Sequence, residues 1–429
     1  MSPIASARPV SAMAADVARA RRGGAFGARE QAIAARLIAA VRRDGDAAVL
    51  RAVRDFDRPK ARSSDLVADR TTLRRAARGA RPELRRALDL AYRRIRRFHE
   101  EQRPRTAAAR DADAVARLTP APLRRVGALV PRGATGYPST ALMTGIPAQV
   151  AGVPELVAAS PMTADGEIDA ALAYALTLVE ADALYRAGGA AAVAALAYGT
   201  KLIAPVDKIV GPGNAYATAA KWLVSAEVGI DALQGPSELV IVASRGADPQ
   251  ALALDLLAQA EHGSGAFAAL VSDDASLLRD VRAALTQVAA EEQGTEARAA
   301  DASLVRRMFL YRAPSIRAAA RAANEARAEH VLLAGSAAAA LAGSIERAGA
   351  VFIGARSAVA FGDYVAGTNH CLPTGGTARW SSALRVDDFV RWTSRVELRP
   401  RGRRLAAAGA AIARHERMRY HAESMEARA

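Results

Sequence analysis

The chain has 429 residues, 51% of them hydrophobic, and a formal net charge of +15. That length and apolar content allow two or three domains with sizeable cores and exclude a disordered chain. No apolar run reaches the ~18 residues that span a bilayer. Residues 1–24 lack a charged stretch followed by a continuous apolar block, and Cys371 is the sole cysteine, so no intrachain disulfide can form. A cytoplasmic protein without a membrane partner is expected.

The charge is carried almost wholly by arginine. Lys60, Lys201, Lys208 and Lys221 are the only lysines, and alanine is equally overused. This reads as a compositional bias of the source genome. The arginines are scattered, and no aromatic residues interleave with them as base-stacking platforms, so no nucleic-acid partner is expected.

Residues 28–58 carry apolar residues at helical spacing, broken at Asp44-Gly45, which predicts a helix pair. Residues 71–102 read as a further long, arginine-rich helical region. "RVGALVPRG" (125–133) is an apolar run that ends in Pro131 and Gly133, a strand feeding a loop. "ELVAASP" (155–161) and "ADALYRAGG" (181–189) are further strand-then-turn units, with helical patterns at 141–152 and 167–179 between them. "KIVGPGNAYATAAKWLV" (208–224) reads as strand, glycine loop, helix. The unit recurs at 237–263, 266–285 and 329–354. No repeat of 20–50 residues is evident.

Alternating strands and helices indicate an α/β chain with two Rossmann-like parallel-sheet domains that meet near residue 237. The expected division has an N-terminal helical segment (1–27), a first Rossmann-like domain (28–128 and 238–384), a second (129–237) and a C-terminal helical tail (385–429). The tail is polar and arginine-rich. It is too short for a core of its own and must pack on something else.

Only six histidines occur, so their neighbours are informative. Gln259 and His262 project from one face where the helix "LLAQAEH" ends. Glu329 and His330 stand just before the apolar run "VLL", where a carboxylate and an imidazole could serve as general bases. Asp363 and His370 belong to "GDY" and the glycine-rich "GTNHCLPTGG". Imidazoles plus a carboxylate suit a zinc-like metal, and an amide oxygen can complete such a site. By spacing alone, Gln259–His262 fits a satisfied helix pair better than a metal site, and Glu329–His330 fits a solvated strand entry better than a base pair. "GPGN" (211–214) before a helix could offer amides to a phosphate. It also reads as a tight turn, and it is not the dinucleotide fingerprint G-x-G-x-x-G. Cys371 reads as a small buried filler.

Five segments together resemble the histidinol dehydrogenase family: "DKIVGPGNAY" (207–216), "GIDALQGPSE" (229–238), "DLLAQAEH" (255–262), "AEHVLL" (328–333) and "GDYVAGTNHCLPTGGTAR" (362–379). The likeness runs from about residue 28 to the C-terminus. It implies an NAD- and zinc-dependent enzyme that oxidises L-histidinol, an amino alcohol, to L-histidine. Two hydride transfers proceed through a bound aldehyde. The first Rossmann-like domain would serve substrate and zinc, the second NAD.

By the same resemblance, Gln259, His262 and Asp363 align with zinc ligands. The fourth ligand is a histidine near the C-terminus with a glutamate five residues before it and an arginine seven after. His421, with Glu416 and Arg428, fits that pattern, and Met418 stands where the family has leucine. His415 does not fit, with Ala410 and Ala422 at those places. Glu416 then aligns with a substrate-contacting carboxylate. Glu329 and His330 align with the base pair, Ser237 and His370 with substrate contacts, and Asn214 with a cofactor contact. The resemblance further implies a homodimer whose tails cross, so that each active site is shared.

The departures fall on the cofactor side. Leu129 stands where the family has an aromatic residue against NAD, Arg132 where it has glycine, and Ala191 where it has a cofactor-binding glutamine. Gly263 and Cys371 replace a common aspartate and a common valine. The lost ring and hydrogen bond together are worth roughly 1–3 kcal/mol, about a tenfold to hundredfold weakening of cofactor binding. Arg132 could offset this by pairing with a phosphate. The departures also fit a paralogue that acts on another amino or sulfonated alcohol.

Overall fold

The computed structural model describes residues 6–133, 135–263, 265–291, 308–399 and 403–429. The expected helix pair is present as Ala28–Asp44 and Asp46–Phe56. Gly45 separates the two with φ 56°, a conformation glycine adopts without a Cβ clash. The helical region expected over 71–102 is present as two helices, Arg70–Ala77 and Pro82–Glu100. Pro82 starts the second, where its missing N–H costs nothing, and it holds Arg81 out of helical geometry.

Two six-stranded sheets form the body of the chain. The first runs in the order Arg8–Pro9, Met308–Arg312, Phe267–Ser272, Glu238–Ala243, His330–Ala334, Ala350–Ile353, all parallel. Glu238–Ala243, Phe267–Ser272 and His330–Ala334 are buried along their whole length. This accounts for their unbroken apolar sequence, since helices cover a parallel sheet on both faces. The second sheet runs Val67–Asp69, Ala183–Tyr185, Glu155–Ala159, Arg125–Leu129, Lys208–Val210, Gly229–Ile230. Only its edge strand Val67–Asp69 is antiparallel.

In each sheet the chain adds strands in one direction, then returns to the other side of its first strand. In the second sheet that switch lies between Arg125–Leu129 and Lys208–Val210, where open α/β sheets place their ligands at the carboxyl ends. The chain leaves this sheet after Gly229–Ile230 and crosses to the first at Glu238. Ser237 and Glu329 therefore sit at the amino ends of two adjacent parallel strands of the first sheet, Glu238–Ala243 and His330–Ala334.

The observed division departs from the expected one. Residues 28–100 belong with the second sheet. Ala34, Ile38, Val41, Val49 and Val53 share a core with Val157, Val193, Ile209 and Val224. Leu73, Leu88 and Ile95 share another with Val126, Leu142 and Leu156. The first sheet has its own crossover helices, Pro249–Ala260, Ala275–Glu291 and Ile316–Ala326. Its remaining flank is closed by Met13 and Val17 of the helix Met13–Ala20.

The tail is not wholly helical. Val390–Leu398 is a strand paired antiparallel with Ala114–Pro122, which also pairs with Ala107–Arg110. Beyond it the helices Arg403–His415 and Arg419–Glu426 form a hairpin around Ala410, Ala413 and Ala422. Among the described residues no helix is long and apolar enough to cross a membrane.

Ile95 is fully buried between its helix and the second sheet. Ile95→Ala is expected to lower unfolding free energy by about 2–5 kcal/mol, read from urea midpoints. A loss below about 0.5 kcal/mol would contradict the assignment of this helix to the second sheet's core.

Candidate active site

The parallel pairing of Glu238–Ala243 with His330–Ala334 sets Leu239 opposite His330. Glu329 is thereby brought beside Ser237 and Glu238. The Ser237 hydroxyl and the Glu238 backbone N–H (3.0 Å) both donate to Glu329 Oε2. Gln259 Nε2 in turn donates to Ser237 Oγ (3.0 Å), which leaves the amide oxygen of Gln259 for another partner. Burial pushes the Glu329 carboxyl up to about 8, against the opposing effect of its two donors. It is a neutral acid over most of the physiological range.

His330 Nδ1 lies 3.5 Å from Glu329 Oε2. That nitrogen is buried with no hydrogen-bond partner among the described residues, and burial holds the imidazole below its ordinary pKa. A neutral imidazole with an unused nitrogen can accept a proton.

The helix Pro249–Ala260 ends just before His262, whose Nε2 lies 4.0 Å from Asp363 Oδ2. His370 Nδ1–H donates to the backbone oxygen of Asp363 (3.1 Å), and its Nε2 is 3.4 Å from Thr140 Oγ1. Burial lowers the His370 pKa, and Asp363 opposes that shift. Ser237, Gln259, His262, Glu329, His330, Asp363 and His370 thus converge where the sheets meet.

Five predicted residues are placed otherwise. Glu416 and His421 lie exposed on the C-terminal hairpin. Among the described residues no group of three or more His, Cys, Asp or Glu side chains is placed to hold a metal. Within one chain His421 therefore does not join His262 and Asp363, because the tail strand carries the hairpin away from the sheets. Leu129 and Ala191 are buried in the second sheet's core. Asn214 is exposed, but its side-chain oxygen caps the helix Ala215–Val224 by accepting from Ala217 N–H (3.0 Å). Arg132 bridges to Gly136 and lies near the carboxylates of Asp57 and Asp165.

Other residues near the site were not singled out from the sequence as site residues. Arg21 makes a two-pronged ion pair with Glu238, at 2.5 and 2.7 Å, and also donates to Ala326 O. Asn369 donates to Met143 O (2.6 Å) and to His99 Nε2 (3.2 Å), and it accepts from Cys371 N–H. His99 is wholly buried, and burial brings its pKa down to about 4. Cys371 is buried too, which raises its thiol pKa and fits the filler role.

The sequence pattern of the family described as histidinol dehydrogenase matches residues 22–429. The chain belongs to the histidinol dehydrogenase family. A histidinol dehydrogenase of Ruegeria pomeroyi is 42% identical over 402 residues, 92% of each chain. One of Moorella thermoacetica is 41% identical over 414 residues, 95% of each. The crystal structure of histidinol dehydrogenase from Elizabethkingia anophelis superposes with a TM-score of 0.91 at 28% identity, covering 100% of this chain and 98% of that one. The chain is an oxidoreductase of the histidinol dehydrogenase type, with the family's α/β architecture.

Whether the residues fit a zinc ion can be tested on distances. Two ligands of a tetrahedral zinc stand about 3.4 Å apart. The 4.0 Å between His262 and Asp363 is a few tenths of an ångström more open. The unspent Gln259 oxygen supplies a third donor. The set suits zinc, with one position for a donor this chain's own site does not provide.

Glu329 also gives a signed pH effect on stability. Its folded pKa of about 8 lies above the ordinary 4.5, so the folded state holds a proton that the unfolded state releases. The group's contribution is present in full below about pH 4.5 and is lost as pH rises toward 8. Glu329→Gln should flatten this fall, so the variant gains stability relative to the parent between pH 5 and 8.5 in urea titrations. A parallel pair of curves would rule out the raised carboxyl.

Proposed function

We propose that this chain oxidises L-histidinol to L-histidine with NAD and zinc, through a bound aldehyde, as a step of histidine biosynthesis. The observation that carries the reading is His330. It is a buried neutral imidazole with an unpartnered nitrogen, beside Glu329 and in the same cleft as Gln259, His262 and Asp363.

Gln259, His262 and Asp363 would hold the zinc, which supplies a redox-inert positive centre that orients an amino alcohol. NAD supplies the acceptor for both hydrides. His330 takes the hydroxyl proton as the carbinol carbon is oxidised. Burial keeps this base neutral, so it is ready at neutral pH. Glu329, when ionised, accepts a proton from the water that attacks the aldehyde. Ser237 and the Glu238 N–H fix the orientation of that carboxyl. His370, held by Asp363 O, presents Nε2 beside Thr140 as a substrate contact.

The tail supports a shared site. Its hairpin core is three alanines, while Ile412, Met418 and Tyr420 stay 61%, 46% and 77% exposed. A partner chain would cover this face, and its His421 and Glu416 would complete zinc and substrate contacts in a homodimer.

The buried Leu129 and Ala191 favour one second reading: a paralogue that oxidises another amino or sulfonated alcohol. Zinc-loaded protein with NAD and L-histidinol is expected to form NADH, followed by absorbance, with L-histidine as product. No NADH from histidinol, with turnover of another alcohol in a panel, would decide for the paralogue.

Sharing has its own check. His262→Asn and His421→Ala should each be inactive alone. Co-expressed, they should regain about a quarter of parental activity, because mixed dimers carry one intact site. No recovery would return His421 to its own chain's site or remove it from catalysis.

A further inference from the structure

In a chain that writes nearly every cation as arginine, Lys221 is one of four lysines. It is also fully buried. Its ammonium donates to three oxygens: Gly211 O (3.0 Å), Gln234 Oε1 (3.0 Å) and Asp231 Oδ1. A compact ammonium can point three donors at three converging oxygens, whereas a planar guanidinium fork would not fit that cage.

The partners link separate segments. Asp231 Oδ2 accepts from Gly211 N–H (2.7 Å) and from Gln234 Nε2 (3.1 Å). Gln234 O accepts from Thr218 (3.2 Å), on the same helix as Lys221. Gly235 N–H donates to Thr374 Oγ1 (2.6 Å), four residues beyond His370. Ser237 follows two residues later. Gly211 itself has no freedom to compensate. Its φ is +96°, and a Cβ there would stand 2.5 Å from Leu129 O.

We propose that Lys221 is a positioning residue: with Asp231 and Gln234 it clamps the crossing between the two sheets and so sets Ser237 and His370 against the 211–214 loop. Lys221 acts through these segments and touches no reacting atom. The effect on turnover rests on the reading under Proposed function, but the clamp itself does not.

The test uses full-length protein in three forms: parent, Lys221→Met, and Lys221→Met combined with Asp231→Asn. The single change orphans a buried carboxylate and should lower the melting temperature. The double change leaves no orphaned charge and still offers Gly211 N–H an acceptor, so melting should largely recover. Turnover per folded molecule should stay at least about tenfold below the parent in both, because displacement of catalytic groups by about 1 Å costs up to a hundredfold. Backbone amide exchange, read by mass spectrometry, should rise in 233–238 and 369–376 in both variants. Recovery of turnover along with melting in the double variant would reduce Lys221 to a stabilising role and overturn the proposal. Unchanged exchange in 233–238 and 369–376 would overturn it as well. If the parent itself fails to oxidise histidinol, the functional reading falls, and the exchange data alone decide the clamp.

Discussion

The cleft is organised around one buried carboxyl. Glu329 has left water, so its oxygen must find donors in the protein. It finds the Ser237 hydroxyl and the Glu238 N–H, both set by the register of two parallel strands. Ser237 is held in turn by Gln259. That contact fixes the end of the helix Pro249–Ala260 and directs His262 toward Asp363. An acid, a base and a candidate metal face are thus arranged by one short chain of hydrogen bonds. The same burial that makes the arrangement costly gives the acid and base their chemistry. It keeps Glu329 protonated and His330 uncharged.

The two sheets meet in an asymmetric way. The second sheet offers the carboxyl ends of its switch-point strands, the usual place for a ligand in such folds. The first offers the amino ends of two adjacent strands, which carry Ser237 and Glu329. Side chains from a sheet's amino edge therefore line the candidate site, opposite the carboxyl edge of the other sheet. The 231–237 crossing joins these edges directly, and its backbone and side chains are hydrogen-bonded to both sides.

Much of this was legible in the sequence. Unbroken apolar strands and amphipathic helices gave the two parallel-sheet domains, and the cluster of Gln259, His262, Glu329, His330, Asp363 and His370 followed from the resemblance. The assignment of residues 28–100 was not legible. An amphipathic helix declares that it has an apolar face, not which of two similar sheets receives it. The strand Val390–Leu398 escaped notice because it is an exposed ribbon whose alternation is diluted by charged residues. Leu129 and Ala191 were read by position in a motif, whereas their side chains follow the core. Lys221, His99 and Arg21 act through partners tens or hundreds of residues away, and no local pattern encodes such pairings. His421 followed from the resemblance, and within one chain it lies exposed on the C-terminal hairpin.

The edge strand of the first sheet has a consequence for how the chain is made. Arg8–Pro9 pairs with Met308–Arg312, and Arg21 pairs with Glu238. The opening residues must therefore wait for hundreds of later ones to leave the ribosome. Most of the second sheet and its helices, by contrast, come from residues 28–230, and Leu384, Val386 and Phe389 complete its core from further along the chain. Contacts so distant in sequence carry a high loop-closure cost and slow the last stage of folding. Until then the apolar strands of the first sheet stand with one flank open, the condition under which nascent chains aggregate. The flank of the first sheet beside Arg8–Pro9 is thus the last part of that sheet to be completed.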